Sequence, residues 1–173
     1  MIGYVCKYTP VEVFEAMGVE IGRIQPEVTN FNQADTLMHP NICSFTKSVL
    51  EDVLAGDYEG VVLTTCCDSI RRLYDVLKQQ CPDKFLYLLD VPRKVNDFST
   101  EMYRKNMLDM VHAYEAFSGK TFDEAQLKQL LERREAGQNL RTAPKNKASV
   151  HIGLMGARCS KGIIDLLENR GVD

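Results

Sequence analysis

The chain has 173 residues, 45% of them hydrophobic and 26% charged, a mixture that excludes a wholly disordered or fibrous protein. A net charge of −3 gives no support to nucleic-acid binding, and no apolar run approaches the roughly 18 residues of a membrane span. The first ten residues, MIGYVCKYTP, lack the basic patch and apolar core of a secretory signal, so a cytoplasmic protein is expected. Six cysteines, at 6, 43, 66, 67, 81 and 159, are too few for a disulfide scaffold and enough to suggest chemistry.

In chain order, short β-type runs alternate with helical periodicity. Residues 2–6 form the first apolar run. Thr9-Pro10-Val11-Glu12 then has capping-box spacing with Pro at the first helical position. Val13, Phe14 and Met17 supply that helix's apolar face, and Gly18 suits a left-handed stop. A second short strand is expected at 21–24 and a loop at 25–41. A helix over 44–54 carries Val49, Leu50, Val53 and Leu54 and closes at Gly56. Residues 61–65, VVLTT, read as a buried strand. The helix beginning at Asp68 or Ser69 places Ile70, Leu73, Tyr74 and Leu77 at i, i+3, i+4, i+7. Residues 85–89 form another buried strand, and helices are expected at 99–117 and 123–135. Residues 136–148, AGQNLRTAPKNKA, read as a linker. A strand–turn–helix pattern restarts at 149–173, with the strand at 151–155, the helix at 160–169 and Gly171 as its stop. This order predicts an α/β fold: a parallel sheet with flanking helices over 1–135, then the first strand and helix of a truncated second lobe.

In an open parallel sheet, ligands bind where strands end and helices begin. Cys43 precedes the helix 44–54, and Cys67 lies between the strand 61–65 and the helix that follows. Backbone N–H groups at a helix start favour negative charge, so both thiols should ionise more readily and could share one metal centre. The competing reading makes each a small buried hydrophobe. No CxxC occurs, which argues against a zinc ribbon or a thioredoxin-type site. Of the adjacent pair Cys66-Cys67, one should face away from any shared metal. Cys6 could reach the same sheet edge, Cys81 reads as structural or surface, and Cys159 is ambiguous. Arg71-Arg72 reads as a solvated helix face, and Arg93-Lys94, after the strand 85–89, as a weaker candidate for ligand contact.

The stretches GYVCKYTPVEVFEAMG, NICSFTKSVLEDVL, GVVLTTCCDSIRRLYD and LLDVPRK, in that order and spacing, resemble the 2-hydroxyacyl-CoA dehydratase family. That family includes the 2-hydroxyglutaryl-CoA dehydratase D-component, the benzoyl-CoA reductase subunits and the double-cubane cluster proteins. The resemblance implies flavodoxin-like lobes with a 4Fe-4S cluster between them, held by three cysteines. The two first-lobe ligands match Cys43 and Cys67, and the third belongs to the second lobe, where Cys159 is not its obvious counterpart. Lys7 stands where relatives commonly carry a small hydroxyl residue. The implied chemistry is radical elimination of water from a 2-hydroxyacyl-CoA. One electron reaches the thioester through the cluster, and a separate ATP-dependent activator protein drives it at low potential. Implied partners are that activator, an acyl-CoA substrate and a homologous second subunit or a second copy, in an anaerobic or facultative cytoplasm. The parent protein is thus expected to be a lyase, and the 173-residue chain alone to be inactive. The alternatives are an ATP-driven acyl-CoA or small-molecule reductase component, a cluster-free α/β lobe or interaction module, and a thiol-redox protein working through Cys66-Cys67.

Overall fold

A computed structural model of the chain describes residues 1–28, 30–138, 152–153 and 161–171. The chain forms two compact units, Met1–Glu132 and Arg133–Asp173. The first contains β1 (Ile2–Tyr4), α1 (Val11–Ala16), β2 (Ile21–Arg23), α2 (Asn32–Leu37), α3 (Ser44–Ala55), β3 (Gly60–Thr64), α4 (Asp68–Gln80), β4 (Phe85–Leu89) and α5 (Asp97–Ser118). Next comes α6 (Glu124–Gln138), and the second unit contains α7 (Lys161–Glu168). Of the expected strand at 151–155 only 152–153 are among the described residues, and these two are not in a strand; Cys159 lies outside the described residues. No helix among the described residues is long and apolar enough to cross a membrane.

The four strands form one parallel sheet in the order β2-β1-β3-β4, as expected of an α/β fold. Its central strand β3 is buried along its whole length, and the pleat sends alternate residues to opposite faces. Val61 and Leu63 meet Val49, Leu50 and Val53 of α3 and Ile70, Leu73 and Leu77 of α4. On the other face Val62 joins Ile2, Phe85 and Leu89 beneath Val13 and Phe14 of α1 and Met110, Val111 and Tyr114 of α5. Helices therefore cover both faces, with one core under each. The second core is aromatic. Tyr114 meets Phe14 and Phe85 edge-on, at ring-centroid distances of 5.2 and 4.9 Å. The Tyr114 hydroxyl donates to Glu59 at 2.8 Å, and burial, followed by that carboxylate, pushes its pKa up to about 12. Gly60 sits so close to β4 that an added Cβ would fall 2.3 Å from the Phe85 carbonyl oxygen. A side chain there would force β3 and the edge strand β4 apart.

Three local features depart from expectation. The capping box at Thr9 does not form: Pro10 is the cap residue, no side chain caps the helix, and the Thr9 hydroxyl is buried with no partner. Helix α5 starts two residues before Ser99, because Asn96 and Ser99 exchange side-chain-to-backbone hydrogen bonds at 2.8 and 3.0 Å. The segment expected to be a loop contains α2. Its cap comes from a distant residue: the buried carboxylate of Glu51, on α3, accepts the backbone N–H groups of Gln33 and Ala34 at 2.7 and 2.8 Å. Gly18 and Gly119 have φ of 63° and 70°, the left-handed conformation that ends α1 and α5.

Removing the Glu51 carboxylate strands two N–H donors, at about 1–3 kcal/mol for each buried one. Glu51→Ala should therefore lower unfolding free energy by about 2–3 kcal/mol in a denaturant titration. Glu51→Gln, which keeps an acceptor, should lose much less.

Candidate functional site

The strand order reverses direction between β1 and β3, which makes their shared C-terminal end the switch point where a doubly wound sheet opens a crevice. A cavity of about 510 Å³ lies there. Cys6 and Tyr8 line it from the exit of β1, Thr65 and Cys66 from the exit of β3, and Val91 and Arg93 from the exit of β4. Tyr103 of α5 completes the wall.

Hydrogen bonds hold these exits in place. The Thr65 hydroxyl donates to the Asp90 carboxylate and accepts the Val91 N–H at 3.3 Å, while the Thr65 N–H bonds the Leu89 carbonyl at 3.0 Å. Asn106 of α5 donates to the Asp90 carbonyl at 3.2 Å. The Tyr103 hydroxyl donates to the Tyr8 carbonyl at 2.8 Å, tying α5 to the first loop. Burial raises the Tyr103 pKa, and the charges of Cys6 and Glu12 add to it. Lys7 places its ammonium over the Tyr8 ring, 5.0 Å from the centroid.

Cys43 and Cys67 occupy equivalent positions in the fold and are not among the residues that line this cavity. Each is the cap residue of its helix, Cys43 of α3 and Cys67 of α4, each in extended conformation, and both are exposed. The Cys43 Sγ lies 3.2 Å from the Thr46 Oγ1. Partial burial works against ionisation of this thiol. Hydrogen bonds from the Thr46 side chain and backbone, the Ser69 hydroxyl and the Phe45 backbone outweigh it, so its pKa falls below the ordinary thiol value. Ser69 stands two residues beyond Cys67, so the Cys43 thiol faces the first turn of the helix that Cys67 caps. Among the described residues, no group of three or more His, Cys, Asp and Glu side chains is arranged to hold a metal ion. Cys43 and Cys67 are two exposed thiols, a donor type that suits a soft metal centre.

The family described as "2-hydroxyglutaryl-CoA dehydratase, D-component" matches residues 6–150. The chain belongs to this family. The match takes in all of β2, β3 and β4, both helix-capping cysteines and every residue that lines the cavity. Among individual dehydratase proteins, the chain is 27% identical over 139 residues to the (R)-phenyllactyl-CoA dehydratase beta subunit of Clostridium sporogenes. That alignment covers 76% of this chain and 36% of the relative, so the chain spans about a third of the length of the curated protein it matches.

The other residues singled out in the sequence lie in different places. Arg93 lines the cavity, whereas Arg72 forms an exposed ion pair with Asp75 at 2.9 Å on the surface of α4. Cys81 is buried at the far end of α4. The part sequence reading misses is the bracket formed by Thr65 and Asp90. Two polar residues, one just past each of two successive buried strands, were its only visible signal.

The lowered Cys43 pKa enlarges its thiolate fraction near neutrality, and the thiolate is the nucleophile. Mass-mapped alkylation by iodoacetamide should show a rate-against-pH midpoint for Cys43 below that of an ordinary thiol. Thr46→Val should move this midpoint up and slow the reaction at neutral pH several-fold.

Proposed function

We propose that this chain is the cluster-binding lobe of an oxygen-sensitive protein of the 2-hydroxyacyl-CoA dehydratase type, with Cys43 and Cys67 as two ligands of a 4Fe-4S cluster. The observation that carries this reading is the equivalent placement of the two thiols. They are exposed caps of consecutive helices, at the sheet edge where such folds bind ligands, inside a chain that belongs to the family. When bound, such a cluster supplies one-electron transfer at low potential.

The chain's own residues provide the rest. α3 and α4 start at these two residues, and the backbone N–H groups of Phe45 and Thr46 hydrogen-bond the Cys43 sulfur, favouring the thiolate that binds iron. Thr46 and Ser69 hydrogen-bond the Cys43 sulfur, and bonds of that kind tune a cluster's potential. The cavity would receive the acyl end of an acyl-CoA. Tyr8, Val91, Val95 and Tyr103 offer apolar surface for an acyl group, and the Arg93 guanidinium suits a carboxylate or phosphate. The likeness to a phenyllactyl-CoA dehydratase subunit supports an acyl-CoA as the substrate class. Residues 149–173 would begin a second lobe, with 136–148 as the linker. A separate ATP-dependent activator would deliver the electron, and a homologous subunit or second copy would complete the assembly in the cytoplasm of an anaerobic or facultative microbe.

Anaerobic reconstitution with iron and sulfide tests this reading. The wild-type chain should turn brown and hold about four irons per cluster. Cys43→Ser and Cys67→Ser should each lose most of the iron and the visible absorbance together. A colourless wild type, or iron retained in both variants, would overturn the proposal for this chain.

A further inference from the structure

The cavity holds a second pair of thiols that the cluster reading leaves unused. Strands β1 and β3 are hydrogen-bonded neighbours, roughly 4.8 Å apart, and their pairing ends with Tyr4 opposite Val62. β1 leaves the sheet after Tyr4 and β3 after Thr64, and each exit presents a cysteine to the same cavity: Cys6 from one, Cys66 from the other. Neither loop is loose. The Thr9 N–H bonds the Cys6 carbonyl at 3.0 Å, and Thr65, beside Cys66, is fastened to Asp90, Val91 and Leu89. Both cysteines are free thiols. Partial burial raises the Cys66 pKa most, Thr64 offsets part of that, and the charges of Cys67 and Cys6 add to it. The Cys66 side chain also lies within hydrogen-bond reach of Cys67.

We propose that Cys6 and Cys66 are an oxidative modification site, which a peroxide closes into a reversible disulfide between the exits of β1 and β3. One thiol takes an oxygen atom from hydrogen peroxide, giving a sulfenic acid and one water. The second thiol attacks the sulfenic sulfur, the S–O bond breaks, an S–S bond forms, and a second water leaves. Two thiols are oxidised and one peroxide is reduced. A dithiol reductant reverses the bridge by exchange through a mixed disulfide. Cys67 competes poorly as a partner for Cys66, because bridging adjacent residues demands a small, strained ring, whereas Cys6 approaches from a separate strand. The bridge would fasten two walls of the cavity together and couple access to it to the presence of oxidant. None of this requires Cys43 or a bound cluster, so the inference stands apart from the proposed function.

The test uses the full chain, free of iron, reduced and then exposed to a slight excess of hydrogen peroxide. Peptide mass mapping should find the peptides of Cys6 and Cys66 joined, the free-thiol count lower by two, and both changes reversed by dithiothreitol. Cys67→Ser should form the same link. Cys6→Ser and Cys66→Ser should lose it. The wild-type map decides alone if a variant folds poorly. A link between Cys66 and Cys67, or oxidation of Cys6 and Cys66 to separate sulfinic acids with no link, would overturn the proposal.

Discussion

A parallel sheet has a directional constraint that an antiparallel one lacks. All its strands run the same way, so every strand leaves the sheet along one edge, and the helix that crosses back must begin near that edge. In this chain the edge gathers the exits of β1, β3 and β4 and the starts of α3 and α4. Residues far apart in sequence, such as Cys6, Cys43, Thr65 and Arg93, are brought to one side of the molecule by that rule before any specific contact is made. The order β2-β1-β3-β4 then opens a crevice between β1 and β3, because the connections on either side of that point turn in opposite directions. The cavity follows from the topology. Its lining follows from the residues that come next in the chain.

Much of the fold was legible because the signals that carry it are local or periodic. The apolar run of β3 and the i, i+3, i+7 pattern of Ile70, Leu73 and Leu77 each require burial on a defined side, and both elements form close to where the pattern places them. What was not legible depends on partners distant in sequence. Helix α2 contains nothing that identifies its start, since its cap is a carboxylate 17 and 18 positions further along the chain, on another helix. The reverse error occurs at Thr9. Its spacing to Glu12 suits a capping box, but packing buries the hydroxyl and leaves the role of cap to Pro10. A motif of four residues states a local preference, and tertiary burial can outweigh a preference of about 1 kcal/mol.

The site was legible to a similar depth. Cys43 and Cys67 could be picked out because each immediately precedes a helix with a strong pattern, and a helix start is a place where a thiolate is stabilised. The cavity could not be picked out, since no short stretch of sequence contains it. Its walls come from three strand exits and one helix, and its shape depends on the side-chain bracket that holds the end of β4 against the end of β3. Cys66 illustrates the difference. In sequence it is one half of a vicinal pair with no distinguishing role, yet in the fold it shares a wall with a cysteine sixty positions earlier.

The Thr65–Asp90 bracket also explains how two adjacent cysteines come to serve different surroundings. Beyond Thr64 the chain leaves the ladder and turns, so the strict alternation of strand faces no longer dictates where side chains go. Thr65 is held instead by three hydrogen bonds to the end of β4. That anchoring keeps Cys66 in the cavity wall, and Cys67, one residue on, becomes the extended cap from which α4 starts. Without the anchor the turn would have no fixed geometry, and either thiol could occupy either place. A single buried threonine, paired with the carboxylate at the next strand's end, thus separates the helix-capping thiol from the cavity thiol. The same pairing sets the position of Val91 and the loop carrying Arg93. Specific chemistry at this edge depends on a polar contact that contributes little to the core and fixes the order in which the side chains emerge.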